Sequence, residues 1–146
     1  MAFREFVKTH PDAVLATTWH NQWPMTMRGI TLGGHVSNVP QRDDDGKCDI
    51  VRWIAENGVP EENIHDYGMV SNHLMPKVFA QADVAVFPNR CEGGTNLVAM
   101  EAMASGVPCI LSANTGHLDL IEDDNCYPIT NQAEISSLPY AKDWGE

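Results

Sequence analysis

The chain has 146 residues and a mass of 16.1 kDa, a length that predicts one domain able to bury a core. With 43% hydrophobic and 20% charged residues it has an ordinary globular composition, which excludes disorder, collagen and coiled coil. Nine Lys and Arg against twenty Asp and Glu give a formal net charge of −11, a sign that repels phosphate backbones and anionic lipids and excludes nucleic acid as a partner.

The amino terminus lacks the continuous apolar stretch of a signal peptide, and no later run approaches the ~18 residues of a membrane span, so the expected compartment is cytoplasmic. Phe3, Phe6 and Val7 recur at helical spacing before Pro11, which predicts a short amphipathic helix. Ala13, Val14, Leu15, Ala16, Thr17 and Thr18 form a β-prone run that leads into an aromatic loop at 19–24. Gly29, Gly33 and Gly34 break any helix in residues 25–42, which read as loop with a short strand at Ile30 and Leu32. Asp45 is the expected N-cap of a helix over 46–57 with the apolar stripe Ile50, Val51 and Ile54, stopped by Gly58 and Pro60.

A strand is expected over 64–70, after which Ser71 or Asn72 caps a helix carrying Leu74, Met75, Val78 and Phe79. Residues 84–88 read as the clearest buried strand. Residues 96–105 read as a helix stopped by Gly106 and Pro108, and 109–112 as another buried strand. Short apolar strands alternating with helices predict an α/β fold, a doubly wound parallel sheet covered on both faces. Ligands of such sheets sit beyond the carboxyl ends of the strands, which singles out the loops 19–24, 68–72 and 89–96.

Cys48, Cys91, Cys109 and Cys126 make no C-x-x-C pair, so reduced, mostly buried thiols are expected and a structural metal is not. The acidic runs Asp43, Asp44, Asp45; Glu61, Glu62; and Glu122, Asp123, Asp124 read as solvated surface. His10, His35, His65 and His73 match no metal or catalytic spacing, while His20, with Trp19 and Trp23, either addresses a ligand or anchors its loop. His117 follows Thr115 and Gly116 at a helix start and reads as a surface cap.

The chemistry concentrates in Asn89-Arg90-Cys91-Glu92-Gly93-Gly94-Thr95-Asn96 and the helix behind it. Gly93 and Gly94 either let the backbone approach a ligand at an anion-binding helix start or only make a tight turn. Glu101 is the one charged residue among the apolar positions 97–104, so it is expected to be buried and to need partners. Those partners are either backbone donors of a neighbouring loop or the hydroxyl groups of a ligand.

Phe87-Pro88-Asn89-Arg90-Cys91-Glu92-Gly93-Gly94 followed by Glu101-Ala102-Met103-Ala104-Ser105-Gly106-Val107-Pro108 resembles the donor-binding half of GT-B fold glycosyltransferases. More narrowly, it is similar to the retaining group called glycosyltransferase family 4 or glycosyl transferases group 1. The resemblance is strongest over residues 63–129 and implies that the whole of 1–146 is one partial, Rossmann-like donor-binding domain. It implies that Glu101 binds the ribose hydroxyls of a nucleoside diphosphate sugar and that Glu92 addresses the transferred hexose as the catalytic position. Backbone amides of Gly93, Gly94, Thr95, Asn96 and Leu97 would hold the diphosphate, and Gly68, Met69 and Val70 would flank the base. The implied activity is hexose transfer to an acceptor with retained configuration and neither metal nor resident cofactor, the sugar nucleotide being substrate.

Two departures accompany the resemblance. Glu92 and Glu101 stand one residue further apart than is common in the family, which loosens the register of Glu92. The family's first strand, glycine turn and basic loop are not matched either, nor is its acceptor-binding half. In the sheet order 3-2-1-4-5-6 the unmatched strand is central. The expectation is that the segment at Ile30 and Leu32 or a second copy of the chain covers the exposed edge, and that the isolated chain is incomplete as an enzyme. The alternative is a non-catalytic module that binds nucleotide or sugar nucleotide.

Overall fold

The computed structural model describes residues 2–19, 27, 30–31, 34–42 and 46–133. These form two compact units, Met1–Val70 and Ser71–Glu146. Each is a small α/β assembly with parallel strands, so the fold class is α/β and Rossmann-like, its strands divided between two sheets.

In the first unit the order is α1 (Ala2–Phe6), β1 (Leu15–Thr17), α2 (Ile50–Glu56), a 3-10 turn Glu61–Asn63, and β2 (Ile64–Asp66). β1 and β2 pair in parallel from Leu15↔Ile64 to Thr17↔Asp66. The buried Thr17 hydroxyl donates to Asp66 Oδ1 at 2.8 Å and fixes that register. Asn63 Nδ2 donates to the carbonyls of Pro11 and Ala13, both at 2.7 Å, and so aims the chain into β1. Ile50, Trp53, Ile54 and Val59 make the core, with Phe3, Leu15, Val36, Cys48 and Ile64 packed around it. Full burial of a side chain such as Ile54 contributes roughly 1.5–3 kcal/mol.

α2 starts later than its sequence pattern suggests. The N-cap is Asp49, whose Oδ1 accepts the Arg52 amide at 3.0 Å, and Asp45 lies outside the described residues. The cause is local: Arg42 and Cys48 form an antiparallel bridge that holds the preceding chain extended. At its other end, Gly58 at φ +92° lets Gly58 N–H reach Ala55 O and Val59 N–H reach Ile54 O, closing the helix. The buried Asn57 then donates to Trp53 O and Asn38 Oδ1 and accepts from the Ser37 amide, which straps residues 37–38 to the helix end. Ile30 and Thr31 lie in 3-10 conformation, so these two residues form no strand, and Leu32 is outside the described residues.

The second unit runs through a 3-10 turn Asn72–Leu74, α3 (Met75–Phe79), β3 (Ala85–Phe87), α4 (Leu97–Ala104), β4 (Cys109–Ser112), a 3-10 helix Thr115–Asp119 and β5 (Tyr127–Ile129). The sheet order is β3-β4-β5, all parallel. α4 packs on α3, β3 and β4. It ends as α2 does, with Gly106 at φ +77° and the amides of Gly106 and Val107 bonded to Met103 O and Ala102 O.

Three burial expectations are corrected here. β4, centred between two strands, is the buried one, whereas β3 leaves Val86 53% exposed and Val84 also open, because no second strand flanks β3 among the described residues. α4 is apolar apart from Glu101, yet only Ala99 and Ala102 are buried, since its contact with the sheet is a narrow small-residue seam. Of the thiols Cys109 alone is buried, and Cys91 is exposed. The runs Glu61, Glu62 and Glu122, Asp123, Asp124 are exposed as expected, and Asp43, Asp44 and Asp45 are outside the described residues.

Candidate donor site

β3 and β4 are parallel neighbours, so their carboxyl ends point the same way and the loops that leave them meet. Loop 89–96 is fastened to residues 114–117 by backbone and short polar side chains. Asn114 Nδ2 donates to Asn89 O at 3.1 Å, Glu92 N–H donates to Thr115 Oγ1 at 2.8 Å, and Gly116 N–H donates to Glu92 O at 3.2 Å. Thr115 is held at φ +41°, an unusual conformation for a β-branched residue, with its hydroxyl also donating to Asn114 Oδ1 at 3.1 Å. Gly116 lies so close to the turn that a Cβ there would sit 1.7 Å from Gly94 O. The Glu92 carboxylate is half-buried and accepts from Asn89 Nδ2 at 3.0 Å, which fixes its orientation on the loop.

Gly93 and Gly94 behave differently from Gly116. Neither has a positive φ, and a Cβ on either would meet no atom within 4 Å. The protein's own packing therefore does not require glycine at these two positions. Immediately behind them Asn96 caps α4, its Oδ1 accepting the Ala99 amide at 3.0 Å. Among the described residues the amides of Leu97 and Val98 have no acceptor, so α4 presents two free N–H groups and its positive dipole end beside a turn left open at Gly93 and Gly94.

Glu101 is exposed rather than buried, and among the described residues its carboxylate has no hydrogen-bond or ion-pair partner. It lies four residues beyond Leu97 and three beyond Val98, hence on the same helix face and about 6 Å along the axis. There it lines an open depression with Asn72, Pro76, Ala104 and Ser105. Among the described residues no group of His, Cys, Asp or Glu is arranged to hold a metal ion, and no helix is long and apolar enough to cross a membrane.

Glycosyl transferases group 1 match the chain over residues 39–137. The chain belongs to that family. The match extends beyond the motif-bearing stretch 63–129 on both sides and takes in α2, β2 and all of the elements from α3 to β5. No curated protein and no solved structure matches the chain.

Within this glycosyltransferase domain, Glu92, Gly93, Gly94, Thr95, Asn96 and Leu97 lie together on the turn and first residue of α4, with Glu101 one turn further on. Gly68, Met69 and Val70 close the first unit, Gly68 at φ +68° and Met69 76% exposed. Trp19 lies edge-on to Trp53 with ring centroids 6.3 Å apart, while His20 and Trp23 are outside the described residues.

His117 is the largest departure from the sequence reading. It is fully buried rather than a surface cap, with Nδ1 3.0 Å from Ser112 O and Nε2 2.9 Å from Asn96 Nδ2. The rule that singled out three loops at strand carboxyl ends applies equally to the loop after 109–112, and would have brought residues 114–117 forward.

Proposed function

We propose that the domain binds a nucleoside diphosphate sugar, with the diphosphate on the free amides at the start of α4, the ribose hydroxyls on Glu101 and the sugar facing Glu92. The observation that carries this reading is the pair Gly93 and Gly94, glycines that neither backbone conformation nor packing requires, set two residues before the two amides without acceptors. A diphosphate needs close approach and N–H donors, and both are on offer there. An unpartnered, exposed Glu101 on the same face is the second support, since a carboxylate accepts two vicinal hydroxyls well.

The reaction that follows from family membership is glycosyl transfer, and the resemblance to the retaining group supports hexose transfer with retained configuration. Transfer also needs an acceptor held against the anomeric carbon in a water-poor cleft. The open α4 face provides one wall of such a cleft, and donor binding is the part of the reaction proposed for it.

A thermal-shift panel of nucleoside diphosphates and their sugar conjugates tests the reading, because a ligand of the native state raises the melting temperature. One base is expected to stabilise the protein, and Glu101→Ala is expected to lose that shift while its own melting temperature stays within about 1 °C, as befits an exposed side chain without partners. Absence of a shift with every nucleotide would refute donor binding.

A further inference from the structure

His117 has both ring nitrogens engaged in the interior. Ser112 O can only accept, so Nδ1 carries the proton and Nε2 accepts from Asn96 Nδ2. The Asn96 amide cannot be turned round, because its Oδ1 already accepts the Ala99 N–H. Three hydrogen bonds thus run in one direction, from the Ala99 amide through Asn96 and His117 to the end of β4. Their effect on α4 is selective. Asn96 is directed to Ala99, and the amides of Leu97 and Val98 are left free.

We propose that His117 is a positioning residue for anion binding at the α4 turn: by holding Asn96 on Ala99 it keeps the two preceding amides open to a nucleoside diphosphate. The proposal rests on the donor-site reading above and adds to it a residue that touches no ligand. A histidine that only filled space would be replaceable by any side chain of its size. A positioning histidine is replaceable only by one that accepts from Asn96, and Gln is that side chain, its Oε1 standing in for Nε2.

Three variants in the full chain separate these cases. H117Q keeps an acceptor for Asn96, H117L removes it, and N96S keeps a capping oxygen for Ala99 on a side chain one bond shorter than the carboxamide that meets His117. Two readouts are taken: affinity for uridine, adenosine and guanosine diphosphates, and the NMR signals of the Asn96 side-chain amide and the His117 ring nitrogens. The wild type is expected to show a protonated Nδ1, an unprotonated Nε2 and a hydrogen-bonded Asn96 amide proton.

H117Q is expected to retain that Asn96 signal and bind the preferred nucleotide within about threefold of wild type, while H117L loses the signal, and both H117L and N96S, which has no such amide, bind about tenfold more weakly. If H117L does not fold, N96S alone carries the comparison. Wild-type affinity in a folded H117L or in N96S overturns the proposal, as does a H117Q variant that keeps the Asn96 signal yet binds as weakly as H117L. If the wild type binds none of the three nucleotides, the donor-site reading fails. The hydrogen-bond relay is then judged by the Asn96 signal, which must persist in H117Q and vanish in H117L.

Discussion

A side chain at position 116 has nowhere to go. The Gly94 carbonyl occupies the place of its Cβ, and both backbones are tied down by the Gly116 N–H bond to Glu92 O. Gly116→Ala is therefore expected to cost about 2–3 kcal/mol in denaturant unfolding and to release loop 89–96 from residues 114–117, whereas Gly94→Ala, with open space around it, is expected to leave stability unchanged within ~0.5 kcal/mol and to weaken nucleotide binding. Equal stability of the two variants would show that the contact is not rigid. At this scale the sequence was legible where chemistry is local. Gly58 and Gly106 were readable as helix stops from their own neighbours. Glu101 and His117 were not, because burial depends on what the rest of the chain lays against a residue. The apolar run around Glu101 suggested an interior that α4 does not have, and His117 looked exposed although β4 and Asn96 enclose it.

At the level of elements, the helices and strands read from the sequence exist where their residues are described, except the strand expected at Ile30, and the strands are shorter than their apolar runs. Residues 64–70 and 84–88 each contribute three residues to a sheet, since pairing stops where the parallel neighbour stops. The pair β4-β5 carries a prediction of its own. Burial, together with the neighbouring Cys126, pushes the Cys109 thiol up, and burial also raises that of Cys126. The folded chain therefore keeps protons that the unfolded chain gives up. The stabilisation is fully present below the ordinary thiol pKa and is lost as pH rises through the raised one. Stability measured in denaturant is expected to decline above about pH 8.5, and a thiol reagent is expected to modify the exposed Cys91 first and Cys109 only on unfolding. Rapid labelling of Cys109 in the native protein would contradict the burial of β4.

For the molecule as a whole, charge and the proposed ligand have the same sign. A chain of net charge −11 offers a diphosphate no long-range attraction, so the proposed capture would rely on the short-range amides at α4. Raising ionic strength from about 20 to 300 mM is expected to strengthen nucleotide binding or leave it unchanged, because screening removes repulsion. A steep loss of affinity with salt would point instead to a basic cluster at the site. Composition made the charge legible from the start, and the alternation of helices with short apolar strands did the same for the α/β class, while the division of strands into β1-β2 and β3-β4-β5 became visible only through the pairing. The interlock of the two loops has one more consequence, for the order of assembly. During synthesis β3, the glycine turn and α4 emerge before Ser112, Thr115, Gly116 and His117, the residues that fasten them. The turn therefore acquires its final shape only after β4 has docked, and the open end of α4 beside it comes into being as a late event of folding rather than as a property of its own segment.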